Sequence, residues 1–477
     1  MEAQKIVLGT IWLVYLLTIV ISSYLDPSGR YDCPMKPLIT PCTCVERARG
    51  LDVSCENTSV EVLRHVFDNL GHSRQPIWHL RLKHNPLSSL PYYLVHGLHV
   101  IHLIIKRSNV TNVDDDSFVD IQDTIESLDL SHNHLKQVPS KPLEILDTLV
   151  SLNLNNNHIE ILHAAAFHGL VSLLWLSLYG NRIKFIDNLA FSGVGASLTR
   201  INLGGNTLTA VPSRPLKNLQ VLQRLQVHEN KITAILPQEF LDIGSRLEIL
   251  DLGSNFMEIL PSRAFSNLHR LSSLDLENNS IYSIHPQAFE GIEDSLEWLK
   301  LGRNRLNAIP LPALQNLTKL RQLDLRSNNI SYIGEDAFTP YGSSLKFVYL
   351  QNNSVRYIDR TAFDILDSLE WLYLHSNRLT FLSFETLGPV LDTLQVLDIH
   401  DNPFHCDCRL VLLKEWMLDR GSNVVNMPRE TRCATPKKLK RVSIRDVPHE
   451  HLICASSANS VMPHIVIIIV TVYRFVT

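Results

Sequence analysis

Apolar and polar positions recur along this chain on one frame, L-x-x-L-x-L-x-x-N, which repeats fourteen times. The ninth position falls at Asn85, Ser108, Asn133, Asn157, Asn181, Asn206, Asn230, Asn255, Asn279, Asn304, Asn328, Asn353, Asn377 and Asn402, in steps of 23 to 25 residues. In Leu247-x-x-Leu250-x-Leu252-x-x-Asn255 the fourth and sixth positions alternate with polar residues, the period-two signature of a strand with one buried face. One such strand cannot hide its apolar side alone, so successive repeats must stack and share a core. Parallel stacking needs a return segment, which the rest of each repeat supplies. A second apolar position lies ten residues past the ninth, at Phe167, Phe191, Phe240, Phe265, Phe289, Phe338 and Phe363, with Leu216, Leu314 and Leu387 at equivalent places. These residues are expected to close the core from the convex side.

The ninth-position amide should turn inward and be satisfied by neighbouring loop backbones. Ser108 offers fewer bonds, so a local irregularity is expected in the second repeat. From Asn181 onward the steps alternate 25 and 24, with the additional residue between the convex apolar position and the next strand. A two-repeat unit duplicated in tandem would produce this.

The ends read differently from the repeats. Residues 1–23 carry an apolar run, Ile6 to Ile21, behind Lys5, and read as a signal peptide cleaved near Ser22 to Tyr24, with a signal anchor as the alternative. All eight cysteines flank the repeats: Cys33, Cys42, Cys44 and Cys55 before, Cys406, Cys408, Cys433 and Cys454 after. An even count in two blocks implies disulfides in an oxidising compartment, zinc being the alternative. A solenoid has two open ends, and caps must cover them. The domains expected are an amino-terminal cap over 24–76, repeats over 77–402, a carboxy-terminal cap over 403–454 and a hydrophobic tail over 455–477. The tail is shorter than the about 20 apolar residues a span needs. Ser456-Ser457-Ala458, a polar spacer and an apolar end fit a glycolipid-anchor signal attached at Ser456, with a short membrane span or a simply secreted chain as alternatives.

These features resemble the extracellular leucine-rich repeat proteins with cysteine-rich caps. Cys33-Pro34 through Cys42-x-Cys44 to Cys55 is similar to their amino-terminal cap; Asn402-Pro403-Phe404-His405-Cys406-Asp407-Cys408, with Leu412, Leu413 and Trp416, is similar to their carboxy-terminal cap. The resemblance implies an α/β solenoid, a leucine-rich repeat horseshoe with a parallel concave sheet and a disulfide-stapled cap at each end. It also implies bridges Cys33–Cys44, Cys42–Cys55, Cys406–Cys433 and Cys408–Cys454. The architecture is similar to that of chaoptin, connectin and the Nogo receptor.

Side chains at the third, fifth, seventh and eighth frame positions should line the concave face. The first two repeats offer a basic end (His79, Arg81, Lys83, His84, His102, Lys106, Arg107), and Asp251, Asp275 and Glu277 an acidic stretch. Phe347 and Tyr349 lie one repeat before Trp371 and Tyr373, and strands about 4.8 Å apart would make the four rings one ligand-binding patch, extended by Trp298. The alternative is that these rings only stabilise the sheet. Trp175 with Tyr179 makes a smaller set, read as structural.

The run Lys437, Lys438, Lys440 and Arg441 suits a sulfated polysaccharide or anionic headgroups, or is a solvated face of the cap. Sequons begin at Asn57, Asn109, Asn278, Asn316, Asn329 and Asn352. A formal charge of −4 gives no global pull toward nucleic acid. No H-E-x-x-H, G-x-S-x-G or phosphate-binding glycine loop occurs, and no catalytic residue, metal site or cofactor is expected. The reading is a non-catalytic, lipid-anchored cell-surface protein on the extracellular side. It would recognise a protein ligand or mediate adhesion, with self-association open. Alternatives are a secreted matrix organiser and a non-catalytic subunit of a secreted enzyme.

Overall fold

The computed structural model describes residues 31–419 and 424–454; the leader, the tail and the anchor position Ser456 lie outside them. The chain forms two compact units. One runs to Arg305 and takes in Pro312–Leu320; the other comprises Leu306–Leu311 and the residues from Arg321 on.

In the first unit a hairpin, Thr43–Arg47 with Gly50–Glu56, opens the sheet. Its second strand pairs in parallel with Ile77–Lys83, and this strand with Val100–Lys106. Short strands follow in chain order, among them Ser151–Asn153, Trp175–Ser177, Arg200–Asn202, Arg224–Gln226, Ile249–Asp251, Ser273–Asp275 and Trp298–Lys300. Each pairs at equal frame positions with the next, as in Leu176 against Ile201 and Leu250 against Leu274. The second unit repeats this with Gln322–Asp324, Phe347–Tyr349, Trp371–Tyr373 and Val396–Asp398.

The convex apolar positions are buried as their spacing predicts: Phe167, Phe240, Phe265, Phe338, Phe363, Leu216, Leu314 and Leu387 are all at 0% exposure. Their rings meet from repeat to repeat, Phe265 stacked on Phe289 at 6.1 Å and Phe338 tilted against Phe363 at 6.1 Å. The asparagine ladder is built the same way in both units. Asn279 Nδ2 donates to the Leu252 and Leu276 carbonyls, both at 3.1 Å, and its Oδ1 accepts from the Met257 N–H. Asn377 does the same with Leu350, Leu374 and Val355.

The residue just before each ladder position is left-handed in every repeat, from His84 at φ 57° and Arg107 at 51° to Ser376 at 54° and Asp401 at 52°. This turn sends the asparagine inward while its own N–H reaches the next repeat, as Asn156 N–H does to the Tyr179 carbonyl at 2.7 Å. Two repeats use glycine there, Gly180 and Gly205. The others accept an uncommon backbone state because the ladder fixes it from both sides.

The irregularity expected at Ser108 is absent. Its hydroxyl donates to the Lys106 carbonyl at 2.9 Å and accepts from the Asn85 N–H at 3.3 Å, while Val100–Lys106 stays in register with the preceding strand. The register shift falls instead between Leu51 and Asp52, where cap meets first repeat.

Both caps bury apolar surface against a terminal strand. Helix Val60–His72 turns Leu63, Val66, Phe67 and Leu70 inward, the spacing of one helical face. The structure joins Cys33 to Cys44 and Cys42 to Cys55, with Cα separations of 5.8 and 4.3 Å. At the other end it joins Cys406 to Cys433 and Cys408 to Cys454. Helix Val411–Leu418 buries Leu413 and Met417, and Val425 bridges to Leu397 beside the last strand. Among the described residues no helix is long and apolar enough to cross a membrane.

Candidate functional site

The four aromatics of the second unit come together. Phe347 and Trp371, opposite each other in adjacent strands, meet edge to face at 4.8 Å; Tyr349 and Tyr373 stack at 5.2 Å. The third and fifth frame positions point to one side of the strand, so the two pairs share a face, and each ring is half-buried. Burial raises the Tyr349 and Tyr373 hydroxyl pKa values, so both stay neutral donors at physiological pH.

The seventh position continues the row. His375 and His400 stack at 4.6 Å, and Tyr373 meets His375 edge-on at 6.4 Å. His400 Nδ1 is hydrogen-bonded to Asp398, whose other oxygen accepts from Asn426 Nδ2 of the cap at 2.8 Å. Burial, opposed by Asp398 and reinforced by His400, lowers the His375 pKa. The result is a surface of rigid, amphipathic rings with a few fixed donors and acceptors. Ser376 Oγ lies 3.1 Å from His375 Nδ1, but it donates its proton to Asp401 at 2.9 Å.

Trp298 occupies the third position of its repeat in the first unit, 36% exposed. Around it the strand positions are mostly charged, and they pair. Lys300 Nζ lies 2.7 Å from Asp275, Arg303 3.4 Å from Glu277, and His228 3.1 Å from Asp251. The neighbouring Asp251 carboxylate, working against burial, raises the His228 pKa. Asp251 is lowered in turn: burial raises it, but the adjacent His228 prevails. Tyr179 donates to Glu229 at 2.8 Å and stacks on His228 at 5.6 Å, so it is tied to neighbours rather than to Trp175.

The basic end is less basic than its sequence. Asp52, on the cap hairpin, lies 2.7 Å from His79 and 3.6 Å from Arg81, and Lys106 is 2.8 Å from Asp129. Burial lowers the His102 pKa, with help from the facing His79 ring at 5.0 Å. Sequence reasoning missed Asp52 because the cap strand pairs with the first repeat strand through a register shift after Leu51, which the repeat frame does not encode.

It also missed a ladder on the flank of the second unit. Tyr332 and Tyr357, four residues past successive ladder asparagines, stack at 5.7 Å while 51% and 55% exposed. The equivalent place in the next repeat is Phe381, covered by the Arg409 guanidinium at 4.5 Å. A groove of about 610 Å³ runs past Tyr357, Phe381, Phe384, Arg409 and Leu412. Equal spacing from the asparagines was the signal.

All six sequon asparagines are exposed. Asn352 sits at the left-handed eighth position beside the strand that holds Phe347 and Tyr349. In the carboxy-terminal cap, Lys437, Lys438, Lys440 and Arg441 are exposed around the buried Leu439. His449-Glu450-His451 forms a single tight turn, and no group of three metal-ligating side chains converges among the described residues.

Family comparisons agree with the architecture. A leucine rich repeat model matches residues 123–183 and 147–195, and a BspA type leucine rich repeat region matches 243–370. A leucine rich repeat C-terminal domain matches 430–455. The chain is a leucine-rich repeat protein closed by cysteine-bridged caps.

It is 36% identical over 64 residues to human leucine-rich repeat-containing protein 24, a match spanning 13% of this chain and 12% of that protein. It is 44% identical over 46 residues to human platelet glycoprotein IX, spanning 10% and 24%. The matches thus cover a small share of either relative. Among solved structures, a chain of the octameric complex of latrophilin 3, Unc5D and FLRT2 aligns with TM-score 0.57 and 26% identity, over 67% of this chain and 94% of that one. The TLR13-ssRNA13 complex gives 0.61 at 22% identity, over 83% and 63%. The Drosophila Toll–Spatzle complex gives 0.61 at 19% identity, over 84% and 57%. The last two show the fold alone.

Proposed function

We propose that this protein is a non-catalytic extracellular receptor or adhesion molecule that binds a protein partner on the concave aromatic face of its second unit. The observation that carries this reading is the pairing of Phe347 with Trp371 and Tyr349 with Tyr373 on one half-exposed face. Large rings already held in place lose little freedom on binding, which is why such clusters concentrate interface energy. Four disulfides suit an oxidising compartment, so the partner is sought outside the cell. The similar chain from the complex containing FLRT2 is part of an assembly with other proteins, which supports a protein ligand for this chain.

The test is a screen of the tagged, tetramerised chain against an array of extracellular protein domains, with the chain itself included. Hits should be lost in Trp371→Ala/Tyr373→Ala and kept in Trp175→Ala. Hits that survive the double change would overturn the assignment of the face. A second measurement addresses where the protein acts: release of a tagged chain from intact cells by phosphatidylinositol-specific phospholipase C supports lipid anchoring. Spontaneous appearance in the medium would favour the secreted matrix reading.

A further inference from the structure

We propose that the carboxy-terminal cap carries a binding site for a sulfated polysaccharide, which borders the aromatic face at His400. The segment Lys437–Leu439 forms one tight turn whose apolar residue, Leu439, is buried at 5% exposure. Burial of that one side chain turns Lys437, Lys438, Lys440 and Arg441 outward together.

The turn is held rigidly. The Arg441 N–H donates to the Cys433 carbonyl at 2.8 Å and the Cys433 N–H to the Val442 carbonyl at 2.9 Å, and Cys433 is bridged to Cys406. A groove of about 560 Å³ runs beside it, lined by Lys440, Arg441 and Arg432 and by His400, Asp401 and Glu430. Its two acids are engaged: Glu430 lies 3.0 Å from Arg432, and Asp401 accepts from Ser376 Oγ at 2.9 Å. None of the four cations of the turn has an acid within ion-pair distance among the described residues. In a chain of net charge −4 this is a local excess, placed on a fixed scaffold.

A linear polyanion matches such a place. Its sulfates accept from several cations at once, and a preformed groove spares the ordering cost that loose lysines would incur. A membrane fits less well. The only apolar residue inside this run, Leu439, points inward, so the turn has no side chain to insert among acyl chains and a bilayer would be held by charge alone.

The experiment uses the full chain on immobilised heparin. The wild type should be retained above physiological salt. Changing Lys437, Lys438, Lys440 and Arg441 to Gln together should weaken binding roughly tenfold or more, the loss of four exposed ion pairs. Changing Lys136, Lys141, Lys217 and Lys231 to Gln, the same change in net charge elsewhere, should leave it unaltered. Desulfated heparin and phosphatidylserine vesicles should fail to compete. Lys440→Gln alone, with a smaller loss, serves if the quadruple variant does not fold. The proposal is overturned by no retention of the wild type, by equal retention of the cap variants, or by equal losses in both quadruple variants. Competition by the vesicles as strong as by heparin would replace it with an anionic lipid surface.

Discussion

The strands of the two units present the same frame and the same core, yet their open faces differ. In the first unit the variable positions hold charges that cancel in pairs, Asp275 with Lys300 and Asp251 with His228. In the second they hold rings, Phe347 on Trp371 and Tyr349 on Tyr373. The difference shows that the core and the face of a repeat are independent layers. Leucines at the fourth and sixth positions fix where the strand lies; the alternate positions face outward and are free to take any chemistry. A face of cancelled charges offers little net attraction at physiological salt, whereas a face of preset rings does.

The comparison can be broken most forcefully in the core. Phe265→Ala in the first unit and Phe363→Ala in the second remove equivalent buried rings. Each should cost about 3–5 kcal/mol. Denaturant unfolding monitored by hydrogen exchange in each unit would measure this, and a large disparity would show that the two cores are not equivalent.

The next effect separates the faces. Trp371→Ala with Tyr373→Ala should weaken a concave-face partner by at least about 2 kcal/mol, measured by surface plasmon resonance, whereas Trp175→Ala changes it little. Equal losses would dissolve the distinction.

The histidines sharpen the contrast in opposite directions. His228 is raised from its ordinary 6.5 by Asp251, and His375 is lowered by burial. The His228 contribution is therefore full below about pH 6.5 and disappears as pH rises through its raised value. The His375 contribution is full above about pH 6.5 and is lost as pH falls through its lowered value. Imidazole titrations by NMR should place the two midpoints on either side of the ordinary one. His228→Asn should abolish the first dependence only.

The smallest effect concerns one of the cancelling charges. Lys106→Met removes a partner of Asp129 that is about one-third exposed, at a cost of about 1 kcal/mol or less in thermal unfolding. A larger loss would mean that the pair orders the strand rather than merely neutralising it.

Much of this was legible in the sequence. The frame gave the buried set down to individual convex phenylalanines, and counting positions brought Trp371 beside Phe347. Counting from one repeat to the next also puts His400 against His375. What escaped depends on relations that the frame does not encode. Asp52 meets His79 because of a register shift where the cap's second strand pairs with the first repeat strand. Ser108 holds its place because a hydroxyl donates to one backbone group and accepts from another, which sufficed without an amide. The Tyr332–Tyr357 stack lies off the long sheet, on the two-residue paired strands Tyr332–Ile333 and Tyr357–Ile358, which are too short for alternation to flag.

The asparagine ladder has a consequence for how such a chain changes length. Each amide spans one repeat, Asn279 reaching back to Leu252 and Asn304 to Leu276 across 27 and 28 residues. The odd residue is absorbed on the convex side, and the bonds are the same. Excising or copying one whole period would therefore return every surviving amide to a carbonyl of the right kind. A slip of a single residue within a strand would misalign that strand with both neighbours. Unequal crossing-over between repeats thus becomes a tolerated event, and the gene can add or discard recognition surface in ready-made lengths while the folding rules stay unchanged.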